Sequence, residues 1–359
     1  MRLESLHIEN FRCIERCDVD VSPGINCIVG DNASGKTSFL EAIYILGRGE
    51  SFRQSRLGQA VRHDSDALTV RTRLTDRQGS RHRIGCHASR SKYQIKLDDQ
   101  AETRRFDLIN VLPLQHIDPN LHRLLEHGPK YRRHFLDWGV FHVEHAFFPA
   151  WRRYRRALKQ RNRALRARQP KHQVVAWDAE LVQQGEIIDA CRRQYLEHIK
   201  RRLPETTRNL FGNQDITFTY HPGWRGDQGF GYALIDSLEQ DLRAGFTQQG
   251  PHRADIRISI AAMNARDWVS RGQQKLLTAG LLLAQADILQ STRGIEPVLL
   301  LDDMAAELGA SYRAALAKEV ARLGVQCFVT FLSPELIPET LRPERMFHVE
   351  HGYITPARA

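Results

Sequence analysis

The sequence contains no run approaching the ~18 uninterrupted apolar residues of a membrane-spanning helix. Its opening, MRLESLHIENF, lacks a long apolar stretch and a small-residue cleavage site. Neither a membrane span nor a secretory leader is expected, and the expected location is cytoplasmic. Cysteine is scarce, with six in 359 residues, at positions 13, 17, 27, 86, 191 and 327. Cys13 and Cys17 are four apart but have no second pair, so no zinc spacing is present. Buried or free thiols in a reducing compartment are the expectation. Acidic residues are the minority, 42 against 52 Lys and Arg, which gives a net charge of +10 and a pI near 9.5. That balance favours a polyanionic partner. Hydrophobic content of 42% supplies a core, and the length suits one large or two moderate domains.

Against these absences stands residues 30–37, GDNASGKT: Gly30, Asp31, Asn32, Ala33, Ser34, Gly35, Lys36 and Thr37. The spacing G-x-x-x-x-G-K-T is that of a phosphate-binding loop. Gly30 and Gly35 let the backbone turn its N–H groups inward on an anion. Lys36 offers a point charge for the outer phosphates, and the Thr37 hydroxyl a ligand for Mg²⁺. A buried strand at 25–29 and a helix from about residue 37 flank the loop, and the helix turns its positive end toward the phosphates.

The loop needs a carboxylate partner, and VLLLDD (298–303) provides one. Four apolar residues read as a central parallel strand, with its carboxyl end where ligands of open α/β sheets sit. Asp302 is placed to hold Mg²⁺, and Asp303 to orient or deprotonate the attacking water. Two acids ending a buried strand with no nearby arginine are costly without such compensation. At 270–275, SRGQQK enters a long helix, and Ser270, Gly272 and Gln273 offer donors suited to a γ-phosphate.

Alternating residues predict strands over 1–9 and on to Val21, and an antiparallel flank over 67–99. NVLPLQHI (110–117) predicts another strand, with Gln115 near its end. In the Gly-, Ser- and Arg-rich stretch 47–61, Arg53 and Arg56 are candidate phosphate contacts. From Leu121 the texture becomes helical, with a break at Gln169-Pro170 that predicts an antiparallel helix pair. Residues 151–202 carry fifteen Lys and Arg against five acids, an excess of ten that equals the net charge of the whole chain. The positive charge is therefore local, which points to bound phosphates. Later segments predict a strand at 216–224, a helix over 234–244, a turn and strand at 250–260, a helix over 310–323, a strand at 325–331 and a closing hairpin at 346–354.

Taken together, IENFR (8–12), GDNASGKT, GPKYRRHFLDW (128–138), LKQRN (158–162), GPHRAD (250–255), SRGQQK and LLLDD (299–303) make the chain resemble the RecF family. These are bacterial DNA-repair ATPases related to SMC proteins and ABC ATPases. GPKYRRHFLDW and GPHRAD are the most specific segments and have no place in a transporter ATPase. The resemblance implies an α/β, ABC-type P-loop ATPase head, a mixed sheet with helices, plus a mainly helical second lobe. The head would comprise 1–120 and 245–359, and the basic lobe 121–244. It also implies an ATP-dependent homodimer that closes on single- and double-stranded DNA at gaps and gap junctions, with slow hydrolysis releasing it. RecO and RecR would be partners in loading RecA and in the SOS response. Ser270, Gly272 and Gln273 would reach the partner's nucleotide, and Gln115 would sense Mg²⁺. Two departures from the family pattern are visible. Glu307-Leu308-Gly309 carries Gly309 where related enzymes have an aspartate that contacts the partner. The strand 325–331 has Thr330 near the place of a switch histidine. Both predict slow turnover.

Overall fold

The computed structural model describes residues 1–357 except 77, 99, 101–102, 213, 226–227 and 304–308. They form two compact units, Met1–Leu121 with Lys275–Ala359, and His122–Gln274.

The first unit contains two sheets. One is antiparallel and ordered β2 (Ile14–Asp20), β1 (Arg2–Phe11), β4 (Ala67–Thr75), β5 (Arg81–Ser89) and β6 (Tyr93–Leu97). Leu3 and Leu6 of β1 are both buried although three residues apart. A register shift between Leu3 and Ser5 re-phases the strand and turns both inward. The other sheet runs β14 (Tyr353–Ala357), β13 (Arg345–Glu350), β3 (Ile25–Val29), β12 (Cys327–Phe331), β11 (Val298–Leu301) and β7 (Leu114–Ile117). Its strands are parallel except β14, which closes the β13 hairpin. All residues of β11 and β12 are buried, as a parallel strand covered on both faces requires. Helix α1 (Lys36–Arg48) packs its Phe39 ring 6.4 Å from Phe328 and 5.9 Å from Phe347. Helix α12 (Ala310–Leu323) starts at an extended Gly309 and ends at a left-handed Gly324. Glu307 and Leu308, which the sequence reading groups with Gly309, lie outside the described residues.

The strand expected over 110–117 is shorter. Asn110 and Val111 finish helix α2 (Arg105–Val111), and only Leu114–Ile117 pairs with β11. Asp107 accepts from the Arg104 N–H at 2.9 Å and fixes the helix start, leaving Pro113 to begin the extended segment.

The second unit is mainly helical: α3 (Arg123–Glu126), α4 (Pro129–Val143), α5 (Phe147–Arg166), α6 (Lys171–Val175), α7 (Asp178–Phe211), α8 (Gly229–Asp236), α9 (Leu238–Ala244) and α10 (Ala265–Trp268). A small sheet is ordered β10 (Met263–Asn264), β9 (Asp255–Ile260) and β8 (Ile216–His221). Helix α11 (Arg271–Arg293) begins in this unit and carries the chain into the first. Arg161 reaches Asp178 at 2.7 Å while the Arg192 guanidinium lies 5.7 Å over Trp151, so α5 and α7 run antiparallel as expected. The helix expected over 234–244 is two helices meeting at Ser237. Residues 245–274 pack here because β9 pairs with β8, whereas the sequence reading groups them with the head.

The two most distinctive sequence segments hold each other. Arg132 of GPKYRRHFLDW grips Asp255 of GPHRAD at 2.7 and 3.0 Å, and Arg133 donates to the Ala254 carbonyl at 2.7 Å. Arg192 donates to both Asp137 oxygens, at 2.8 and 3.0 Å, and to the Pro251 carbonyl at 2.8 Å. Gly250 sits at φ +132°, and a Cβ there would come within 2.4 Å of the Tyr154 hydroxyl, so the motif needs glycine.

Candidate nucleotide site

The phosphate loop leaves β3 at Val29 and enters α1 at Lys36. Gly30 passes so close to β13 that a Cβ would lie 2.1 Å from the Val349 carbonyl oxygen. Ala33 at φ +61° and Gly35 at φ +124° give the loop its curl. Lys36 is buried, and its Nζ donates to the Gly30 and Asp31 carbonyls at 2.7 Å each. Burial lowers its pKa, while Asp303, Asp302 and Asp31 oppose the change.

Parallel pairing brings the other half of the site to this loop. Thr37 Oγ1 donates to Asp302 Oδ1 at 3.1 Å across 265 residues of sequence. The Asp302 N–H donates to the Ile117 carbonyl at 2.9 Å, which anchors the strand end. Burial raises the Asp302 pKa; hydrogen bonds from Thr37 and Thr330 and the nearby His116 oppose it. Thr330 Oγ1 donates to Asp302 Oδ1 at 3.0 Å and accepts the Asp303 N–H at 2.6 Å. Asp303 itself adopts φ +49°, a left-handed conformation unusual for a non-glycine residue.

The residues fit a magnesium–nucleotide complex. A hydroxyl and a carboxylate oxygen lie side by side, the hard oxygen donors Mg²⁺ takes. Within the loop, the buried Ser34 Oγ has no hydrogen-bond partner among the described residues, although a buried hydroxyl ordinarily finds one.

Thr37, Lys36, Asp302 and Asp303 are thus gathered as the sequence reading places them, but Gln115 is not. The β7–β11 register pairs Gln115 with Leu299, three residues short of Asp302. Its buried amide donates to Gln285 Oε1 at 2.8 Å. The strand end near the acids belongs instead to Asp118, which lines a small cavity together with Asp302, Asp303 and Lys275. Ser270, Gly272 and Gln273 lie at the start of α11. The Ser270 N–H donates to Gln273 Oε1 at 3.0 Å and the Gln273 N–H to Ser270 Oγ at 3.4 Å, a reciprocal helix cap. A Cβ at Gly272 would meet nothing within 4 Å.

Two features escape the sequence reading. Glu41, fully buried one turn after Thr37, accepts from Arg12 at 2.7 and 3.1 Å and from Ser51, with Arg53 at 3.7 Å. Arg53 therefore answers a carboxylate. The IENFR segment was visible, but its partner was not. His116 stacks on Phe52 at 4.1 Å, and burial pushes its pKa down to about 4.

A loop–helix phosphate cradle facing two acids across a parallel sheet, with an antiparallel sheet beside it, defines an ABC-type ATPase head. The family model described as RecF/RecN/SMC N terminal domain matches residues 2–355. The DNA replication and repair protein RecF of Pseudomonas paraeruginosa is 40% identical over 361 residues, covering 99% of this chain and 98% of that protein. RecF of Aliivibrio fischeri is 39% identical over 356 residues, covering 99% of each. The chain belongs to the RecF family. A solved structure of the recombination mediator protein RecF-ATP in the RecFOR pathway superposes with a TM-score of 0.88 at 25% identity, covering 99% and 98% of the two chains. An Smc head bound to the C-winged-helix domain of ScpA gives a TM-score of 0.62 at 14% identity, covering 99% and 98%, a likeness of fold.

Proposed function

We propose that this protein is an ATP-dependent DNA-binding protein of replication and repair, in which ATP gates dimerisation on DNA and slow hydrolysis releases it. The observation that carries this reading is the Thr37–Asp302 hydrogen bond, which joins the phosphate loop to the acid pair. In the mechanism proposed, Lys36 exchanges its two loop carbonyls for the outer phosphates. The loop N–H groups and the α1 N-terminus bind the phosphate chain. Thr37 and Asp302 hold Mg²⁺, which neutralises phosphate charge when bound. Asp303 orients the attacking water and accepts its proton. Ser270, Gly272 and Gln273 serve the second copy's nucleotide, so a complete site takes two chains.

The basic lobe supplies the charge for DNA. Relatives of this chain are named DNA replication and repair proteins, and a RecF has been solved with ATP in the RecFOR pathway. By that kinship the proposed site of action is the single-stranded gap and its junction with duplex. The proposed partners are RecO and RecR, the outcome RecA loading and support of the SOS response, and the location the nucleoid in the cytoplasm. No helix among the described residues is long and apolar enough to cross a membrane.

The test is Asp303→Asn with ATP, Mg²⁺ and DNA. The variant is expected to bind ATP, lose hydrolysis and remain as a dimer on DNA. Turnover and release equal to the parent's would remove Asp303 from the mechanism. A parent kcat above about 1 s⁻¹ without a partner protein would contradict slow gating.

A further inference from the structure

We infer that one face of helix α5 is the track for the phosphate backbone of double-stranded DNA, and that α7, whose six Lys and Arg are matched by six acids, is not. This rests on the DNA-binding function proposed above and assigns it a surface.

Twelve of the fifteen cations of residues 151–202 separate by what they touch. Arg161 is buried on Asp178 and Asp241, at 2.7 and 2.6 Å, and Arg192 is buried on Asp137 at 2.8 Å. Arg193 pairs with Asp189 at 2.7 Å, Lys200 with Glu197 at 2.6 Å, Arg202 with Glu205 at 3.4 Å, and Lys171 with Glu239. The α7 charges are thus largely neutralised within the protein.

Helix α5 is different. Its twenty residues include no Asp or Glu. Arg152, Arg155, Arg156, Lys159, Arg163 and Arg166 are all exposed. None of the six makes an ion pair among the described residues. At 3.6 residues per turn these six fall within about 100° of arc, and they extend along about 21 Å of axis. The opposite side is the buried one, formed by Ala150, Tyr154, Ala157, Arg161, Ala164 and Leu165. Like charges repeat at i,i+4 along the face (152/156, 155/159, 159/163), which destabilises a helix unless an anion offsets them.

The face fits a duplex better than a single strand. Single-strand sites combine cations with aromatic platforms for the bases. The one aromatic between Arg152 and Arg166 is Tyr154, which is buried and hydrogen-bonded to His252 at 2.6 Å. A row of cations whose neighbouring ring, Phe148, is already covered by Arg152 at 5.8 Å reads backbone charge and no sequence.

The test compares the parent with two triple variants, Arg155→Ala/Lys159→Ala/Arg163→Ala on α5 and Arg193→Ala/Lys200→Ala/Arg202→Ala on α7. Binding to a 30-base-pair duplex and to oligo-dT of equal length is measured by anisotropy, with ATP and Mg²⁺, across a salt titration. Each lost phosphate contact reduces the slope of log K against log salt by about 0.9, so the α5 variant should lose about 2–3 in slope on duplex. The α7 variant should follow the parent. An α5 variant that keeps the parent's slope, an α7 variant that loses as much, or a loss confined to oligo-dT overturns the assignment while leaving the proposed function standing. A parent that binds neither DNA in any nucleotide state overturns the proposed function itself, and this surface with it.

Discussion

Thr330 Oγ1 donates to Asp302 Oδ1 at 3.0 Å, and through the same oxygen it accepts the Asp303 N–H at 2.6 Å. One buried hydroxyl on β12 therefore fixes both acids at the end of β11. Thr330→Val removes donor and acceptor together and strands a backbone N–H, at a cost of about 1–3 kcal/mol. The expected result is a kcat reduced about tenfold, equivalent to ~1.4 kcal/mol of barrier, with the KM for ATP little changed. Thr330→Ser should restore the rate, because it keeps the hydroxyl. A valine variant as fast as the parent would show that the acids need no such anchor.

Arg12 and Glu41 make the second prediction. Glu41 is fully buried, and the Arg12 guanidinium meets both its oxygens. Breaking a buried ion pair costs about 3–5 kcal/mol, and because Ser51 and Arg53 also face Glu41 the cost here belongs at the lower end of that range. At about 2–4 °C per kcal/mol for a domain of this size, Arg12→Ala should lower Tm by about 6 °C or more. Differential scanning fluorimetry without nucleotide measures this, and a shift under 2 °C would contradict it.

His252 gives a pH prediction. Its Nδ1 faces the Tyr154 hydroxyl at 2.6 Å and its Nε2 the Thr247 carbonyl at 3.0 Å. Burial pushes its pKa from 6.5 down to about 4, so the folded protein holds it neutral. The unfolded chain takes up the proton first as pH falls. The stabilisation is whole above about 6.5 and declines as pH drops toward 4. The parent's urea midpoint should fall between pH 7.5 and 5, and His252→Gln should fall less. Parallel falls in the two proteins would assign the titration elsewhere.

Thiol chemistry supplies a fourth. Cys17, Cys27 and Cys86 are buried, and burial pushes each thiol up to about 12. Cys191 and Cys327 are buried as well, and Cys13 alone is exposed. A thiol-specific chromogen should titrate one cysteine quickly in the native protein and six after unfolding. Cys13→Ser should abolish the fast phase. Its Sγ lies 3.1 Å from where a Cβ on Gly35 would stand, so bound ATP should slow the reaction. Several fast thiols would mean an opened core.

What the sequence made legible was local. GDNASGKT carries its own geometry in eight consecutive residues, and VLLLDD announces a buried strand with acids at its end. Neither says that Thr37 meets Asp302, which follows from parallel pairing of β3, β12 and β11. Gln115 was misplaced because an apolar run such as NVLPLQHI has no periodicity to show where helix stops and strand begins. Three residues of register then decide which side chain reaches the ligand end. The charge of 151–202 was legible as a sum. Its division into a paired α7 and an unpaired outer face of α5 depended on which acids the fold brings near. GPKYRRHFLDW and GPHRAD stood out as patterns, and their mutual grip through Arg132 and Asp255 appears only once β9 is in place.

The most direct test of the account is DNA binding and sedimentation measured together, with ATP and Mg²⁺ and without nucleotide, for the parent and Lys36→Met. The account predicts that ATP creates both a dimer and salt-sensitive DNA binding in the parent, and that the variant shows neither. DNA binding equally tight without nucleotide, or unchanged in Lys36→Met, would contradict a nucleotide-gated clamp.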